Sequence, residues 1–285
     1  MNNTISKPKL YLSRSLLAIY RIIFLRKAFF KLNRMLFGLS LRGLGILNYE
    51  NDALSGEEYF LNKMSDLFED AVAIDIGANK GDYSNTIRKL SPRAKIYAFE
   101  PHPKTFEQLQ FSADKHNYMA LNLACSDIAG KLKLYDYQGD QSGSEHASLY
   151  QDVIEKIHKG SSAEWDVDVT TIDRFVQEEG INKISLLKID TEGNELKVLL
   201  GAKQCVEANL IDVIHLEFNE MNVVSRVFMK DIYEALDNYL FYRLLPDGLV
   251  PLGEYTSIYW EIFGYQNIIA VNKNSLSRVK RHLSI

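Results

Sequence analysis

The chain has 285 residues, 46% apolar and 25% charged, an ordinary balance for a globular protein of one large domain, or of one domain plus an arm. Its net charge of −4 is unevenly spread: residues 1–49 hold nine Lys or Arg and no Asp or Glu, which leaves 24 basic against 37 acidic residues, a net of −13, in the remainder. An acidic body argues against a nucleic-acid-binding main domain; two distant cysteines, Cys125 and Cys205, argue against a disulfide scaffold or zinc site and fit a reducing cytoplasm; and no apolar run reaches the ~20 residues that span a bilayer.

Residues 9–37 read as helix by composition, with apolar residues most of the way round rather than on one face. The stretch "LLAIYRIIFLRKAFF" is interrupted by Arg21, Arg26 and Lys27 and lacks the cleavage site of a signal peptide. A glycine-punctuated linker follows. Ser55 and Glu58 have capping-box spacing, so a helix is expected from about Gly56 to Phe68. The organisation expected is a basic, apolar helical arm and linker over residues 1–49 and one α/β domain over 50–285.

From Ala71 strands and helices alternate. "AVAID" (71–75) reads as a buried strand and residues 82–90 as a helix. "KIYAFE" (95–100) is a strand, and "PKTFEQLQFSADKH" a helix with Pro103 in its first turn. "YMALNLACS" (118–126) reads as one strand. Shorter strands are expected near 131–135 and 166–170, and a helix over 172–179. "ISLLKID" (184–190) and "IDVIHLEF" (211–218) are strands; "NELKVLL" and about 225–239 are helices. Strands at 241–246 and 267–272 close the pattern, joined by a stretch without a convincing helix, so the last strand is expected to be antiparallel. Such alternation means βαβ units and a mainly parallel sheet covered on both faces.

In open α/β sheets, ligands sit beyond the carboxyl ends of the strands. Asp75, Glu100, Asp190 and Glu217 all fall at such ends. In "AIDIGANKGDY" (73–83) a strand ending in Asp75 runs into Gly77, Ala78, Asn79 and Gly81, then a helix, the order expected of a nucleotide-sized site. The dinucleotide fingerprint G-x-G-x-x-G is absent, and Asp75 and Asp82 are poor neighbours for two phosphates, which disfavours an NAD-dependent oxidoreductase. A cofactor with a positive centre, an ammonium group and a ribose diol suits these acids better, and S-adenosylmethionine has all three. Glu100 is placed to accept from the ribose hydroxyls, Asp127 from the adenine amino group, and Ser126 either contributes or caps a turn.

"AIDIGANKGDYS", "IYAFEPHPKTFEQL", "NLACSD" and "LLKIDTEGNELKVLLGA" resemble the FkbM family of S-adenosylmethionine-dependent methyltransferases over about residues 45–272. The resemblance implies a Rossmann-like class I methyltransferase fold, with a seven-stranded, mainly parallel sheet whose last strand is antiparallel. It implies methyl transfer to oxygen, many relatives acting on sugars or other hydroxylated natural products. It implies that Asp75, Gly77, Ala78, Asn79, Gly81, Glu100 and Asp127 contact the cofactor.

An alcohol is a poor nucleophile until its proton begins to leave, so a base or a metal is expected. In one reading Asp190 or Glu217 is that base or orients the acceptor, with Lys188 tuning the site. In the other, Asp190, Glu217 and Asn219 hold a divalent cation of the Mg²⁺ type. His215, between Ile214 and Leu216, reads as a satisfied core histidine. His146 and Ser148, in the irregular 127–170 segment, are the substrate-binding candidates; Trp165, Tyr255, Tyr259 and Trp260 are placed either to stack on a sugar or to pack in the core. The expected enzyme methylates a sugar hydroxyl in a glycan or glycolipid pathway. The alternatives are another natural product or lipid acceptor, and a non-catalytic cofactor-binding module. The expected setting is cytoplasmic, with peripheral contact at the inner face of the membrane through residues 9–42; the rival is packing of that arm on protein.

Overall fold

The computed structural model describes residues 14–137, 144, 147–157 and 159–283. The chain divides into two compact units, one ending at Leu44 and the other beginning at Gly45.

In the first unit the single helix expected over 9–37 is two, Arg14–Phe24 and Phe30–Gly43, separated by a 3₁₀ turn at Lys27–Phe29; residues 9–13 lie outside the described residues. The break has a local cause. The Asn33 side-chain amide donates to the Phe24 carbonyl at 3.0 Å, one of the acceptors that a helix end leaves unpaired. Tyr20 Oη donates to Asn33 Oδ1 at 2.7 Å, and Phe24 packs on Tyr20 and Phe29.

The second unit carries eleven strands among its described residues: β1 Val72–Ile76, β2 Lys95–Phe99, β3 Met119–Leu121, β4 Ala124–Cys125, β5 Gly130–Tyr137, β6 Ser162–Thr170, β7 Ile184–Ile189, β8 Ile211–Phe218, β9 Tyr239–Leu245, β10 Gly248–Pro251 and β11 Gln266–Asn272. Eight form one sheet in the order β3-β2-β1-β7-β8-β11-β9-β10. The run from β3 to β8 is parallel, and β11 lies antiparallel between β8 and β9. This is the implied seven-stranded arrangement with an eighth strand, β10, added at the edge. Pro246 and Asp247 make the two-residue turn into β10, a turn pair passed over in the sequence.

The strand expected over 118–126 is divided. Asn122 donates its side-chain amide to the Glu100 and Pro101 carbonyls, the chain bends there, and β4 joins β6 and β5 in a separate three-stranded sheet. The helix expected over 225–239 is also two, Met221–Ser225 and Met229–Ala235, because Arg226 takes a left-handed φ of 60°. The Ser55/Glu58 capping box does not form. Gly56, at φ 89°, is the N-cap of helix Glu57–Phe68, and Ser55 Oγ donates instead to the Asp52 carbonyl. Helices Lys203–Glu207, Ser257–Trp260 and Leu276–Leu283 add to the expected set.

β7 is buried along its whole length, which explains its nearly continuous apolar sequence. One face of the sheet packs against Phe175, Val198, Leu199, Ile232 and Trp260, the other against Phe60, Met64, Phe68, Ile87 and Val279. Each such side chain contributes roughly 1.5–3 kcal/mol through burial.

Candidate active site

At the carboxyl ends of β1, β2, β7 and β8 lies a cavity of about 840 Å³. The first glycine of the β1 loop is there because of the protein's own backbone. Gly77 has φ 79°, and a Cβ on it would lie 1.7 Å from the Asp190 carbonyl oxygen. Gly77 and Ala78 donate their N–H groups to the Phe99 carbonyl, and Asp190 N donates to the Ile76 carbonyl. The β1, β2 and β7 loops are thus locked together by main chain. Gly81, at φ 92°, is the N-cap of helix Asp82–Leu90, where a Cβ would lie 2.2 Å from Tyr118 Oη. It serves the turn, and it is not among the residues lining the cavity.

Asp75, Gly77, Ala78, Asn79 and Glu100 line one end of the cavity. Asp75 is buried and accepts from Ser84 Oγ at 2.7 Å; burial pushes its carboxyl up to about 6. Glu100 accepts from the N–H of Asn79 at 3.1 Å and of His102 at 2.8 Å, one on each oxygen. Each oxygen keeps a lone pair for a ligand hydroxyl. Burial pushes the Glu100 carboxyl up to about 7, although both amides oppose the shift. Asn79 Oδ1 and Asn194 Oδ1 are buried acceptors without a partner among the described residues, and both residues line the cavity. The hydroxyl and amino donors of an adenosine and the ammonium of an attached methionine supply what these acceptors need, so the residues present fit S-adenosylmethionine. Ser126 and Asp127 are not brought to the cavity wall. Ser126 donates to Asp127 Oδ1, the Asp127 residue is exposed, and Ala124 and Cys125 line the cavity instead.

At the other end Lys188, Asp190, Glu217 and Asn219 come together, as the β7 and β8 ends require. The Lys188 ammonium donates to Asp190 Oδ2 at 3.0 Å, lies 3.8 Å from Glu57 Oε1 and sits over the Tyr83 ring. Burial alone would lower its pKa, but Asp190, Glu57 and Glu217 together outweigh that and hold it well above the ordinary lysine value. Glu217 accepts from the Asn219 side-chain amide at 2.7 Å. Burial first, then the charges of Asp190 and Glu192, raise its carboxyl well above the usual range. Among the described residues no group of three or more His, Cys, Asp or Glu side chains is arranged to hold a metal ion. Lys188 occupies Asp190, and Asn219 turns its amide donor on Glu217, so this set does not fit Mg²⁺.

Glu57 is a site residue that sequence reasoning missed. It starts helix Glu57–Phe68 and reaches the cavity, where burial pushes its carboxyl up to about 7. His215 is fully buried, as a core histidine should be, yet its Nδ1 pairs with Tyr83 Oη at 2.9 Å and its Nε2 lies 3.5 Å from Glu57 Oε1. Burial, then Lys188, drive its pKa well below the usual value, so it is neutral. The one available signal was the alternation of β8, which puts His215 and Glu217 on one face. Glu195 accepts from Thr191 N and Oγ1 and from Gly193 N, fixing the loop after Asp190. Thr191 and Glu192 do not cap the following helix.

Of the substrate candidates, His146 lies outside the described residues. Ser148 donates to the Glu192 carbonyl at 2.7 Å and is not in the wall; Ser144, Ala147 and Leu149 are. Trp260 is buried against Tyr233, Phe241 and Tyr255, and Trp165 packs on His102. None of the four candidate aromatics lines the cavity.

A parallel sheet with one inserted antiparallel strand, a glycine loop after β1 and an acid ending β2 define a class I methyltransferase. The chain matches the Methyltransferase FkbM domain over residues 75–242 and belongs to that family. It is 30% identical to "Methyltransferase sdnD" of Sordaria araneosa over 46% of this chain and 60% of that protein. It is 23% identical to "2-O-methyltransferase NoeI" of Sinorhizobium fredii over 63% and 76%. It is 29% identical to "Hexuronic acid methyltransferase AglP" of Haloferax volcanii over 49% and 53%. The chain thus spans between about half and three quarters of these relatives. No helix among the described residues is long and apolar enough to cross a membrane.

Proposed function

We propose that the protein transfers a methyl group from S-adenosylmethionine to a hydroxyl of a sugar, in a cytoplasmic glycan or glycolipid pathway. The observation that carries this reading is one continuous cavity, with the Glu100 and Asn79 acceptors at one end and carboxylates gathered round Lys188 at the other. The names of two relatives, a 2-O-methyltransferase and a hexuronic acid methyltransferase, support oxygen as the acceptor atom and a sugar as its carrier.

When bound, the sulfonium supplies an electrophilic methyl group and a neutral leaving sulfide. Glu100, Asn79 and Asn194 bind its adenosine and amino acid parts. Asp190, held by the Lys188 ammonium, accepts a hydrogen bond from the acceptor sugar and orients it. Glu217 takes the hydroxyl proton on Oε2 as the new C–O bond forms, its Oε1 being engaged by Asn219. A base of raised pKa is suited to an alcohol, because its higher proton affinity favours transfer. Lys188 is a positioning residue, and Glu57 completes its neutralisation.

The test is turnover of the full chain with S-adenosylmethionine and a panel of sugars, uronic acids, phenols and amines, read as S-adenosylhomocysteine and as methylated product. A methyl ether on a sugar hydroxyl is the expected product. Turnover only with phenols or amines overturns the sugar reading. Cofactor binding with no turnover on any acceptor class favours a binding module.

A further inference from the structure

The methyl-transfer chemistry leaves the unit before Gly45 unused. Its surface is the reverse of a folded domain's. Ile22, Leu25, Phe30 and Phe37 are 66%, 70%, 67% and 63% exposed, and Ile19, Met35 and Leu39 are more than half exposed. Apolar side chains exposed in such density mark an interaction surface. Over residues 14–44 they are interleaved with seven Lys or Arg and no Asp or Glu.

The break between the helices sorts these residues. Arg14 and Arg21 stand two turns apart on one side of Arg14–Phe24, and Ile19, Tyr20 and Ile23 sweep the other. In Phe30–Gly43, Lys31, Arg34 and Arg42 form one stripe, with Met35, Leu39 and Leu32 beside it and Phe30 and Phe37 across from them. Asn33 ties the two helices at the elbow, and on the second helix apolar side chains flank the basic stripe on both sides.

The occupant must accept apolar side chains and neutralise positive charge without supplying any. A second copy of this unit fails, since it sets seven positive charges against seven. Among the described residues, the helices of 11 and 14 residues fall short of the ~20 that cross a bilayer. An anionic lipid surface meets both needs, taking the apolar side chains into its acyl boundary and the Lys and Arg heads among its phosphates. We infer that residues 14–44 are an interfacial anchor that seats the protein on anionic membrane. The anchor is independent of which acceptor the cavity takes.

The test is co-sedimentation of the full chain with phosphatidylcholine vesicles, with and without phosphatidylglycerol, at low and high salt. Binding is expected only to the anionic vesicles, with release at high salt. Two full-length variants separate the contributions. Ile22→Asp with Leu25→Asp removes insertion, and Arg21→Glu with Lys27→Glu and Arg34→Glu removes attraction; each should weaken binding at least about tenfold, leaving cofactor affinity unchanged. A full chain that stays in the supernatant with anionic vesicles at low salt overturns the inference. So does equal binding to neutral vesicles, and so does salt-insensitive self-association that the Ile22→Asp, Leu25→Asp variant abolishes while vesicle binding is absent.

Discussion

In the proposed reaction the cofactor end of the cavity is made largely of main chain from one short stretch, Gly77–Asn79, completed by Glu100, and the acceptor end of side chains from four separate segments: Glu57, Tyr83, Lys188 with Asp190, and Glu217 with Asn219. Main chain holds its geometry through dihedral constraint and close approach, as at Gly77 against the Asp190 carbonyl. Side chains hold theirs through charge, as round Lys188. Position at the first end should therefore be broken by added volume, and chemistry at the second by removed charge.

The largest effect is expected at Gly77→Ala. Its Cβ has no space beside the Asp190 carbonyl, and φ 79° is already unfavourable for alanine. A loss of about 4 kcal/mol or more in chemical denaturation, or failure to fold, is expected, a size found only where backbone or core is forced to move. A folded variant that keeps cofactor affinity would mean the loops are not locked. Next is Lys188→Met, which leaves Asp190, Glu57 and Glu217 without their shared cation. About 3–5 kcal/mol should be lost at neutral pH, the scale of breaking a buried ion pair. The loss should shrink in acid, as Glu57 and Glu217, both raised by burial, take up protons. Stability unchanged at neutral pH would separate the acceptor end from Lys188.

Third, Glu217→Gln should cut kcat about 100-fold, the scale of losing a general base, with cofactor affinity nearly intact by calorimetry. With Glu217 as the proposed base, kcat/KM should rise with pH only above the ordinary carboxylate range, because the base acts ionised and burial raises its carboxyl. A flat profile together with an active Gln variant assigns the base elsewhere. Fourth, Glu100→Gln should weaken cofactor binding by about 2 kcal/mol, the worth of hydrogen bonds to a charged acceptor, leaving the rate at saturating cofactor unchanged. Affinity in the parent should rise as pH passes about 7, where Glu100 ionises.

The smallest effect is a slope. Asp75, Glu57 and Glu100 are all raised, to about 6, 7 and 7, so the folded cofactor-free protein holds protons that the unfolded chain releases. Their contribution to stability is full below the ordinary carboxylate range and is lost as pH rises through 6 to 7. Thermal scans of the free protein between mildly acid and neutral pH should show a falling Tm, flattened in Glu57→Gln. A rising Tm over that interval would mean these carboxyls find partners that offset their burial.

The same contrast explains what could be read in advance. Helices Asp82–Leu90 and Pro103–His116 and strand β8 fell at their expected places, because cap, proline and apolar run each acted locally. Asp75, Gly77 and Glu100 were legible because strand ends and the glycine loop are contiguous signals. Glu57 was not, since nothing in "SGEEYF" says that a glutamate there reaches Lys188 and His215, on strands over a hundred residues further along. Asp127 was misplaced on the wall because the bend at Asn122 takes β4 into another sheet. Gly81 was assigned to a ligand's approach, whereas Tyr118 makes that approach.

The backbone lock between Gly77 and Asp190 also bears on how such an enzyme changes over evolutionary time. The spacing between donor and acceptor positions is written in main chain, which most side-chain replacements leave alone. The wall formed by Ser144, Ala147 and Leu149 belongs to the connection between β5 and β6, a separate stretch of sequence. Under the proposed function, a lineage that rewrites that connection changes the molecule that is methylated while inheriting the alignment of the transfer.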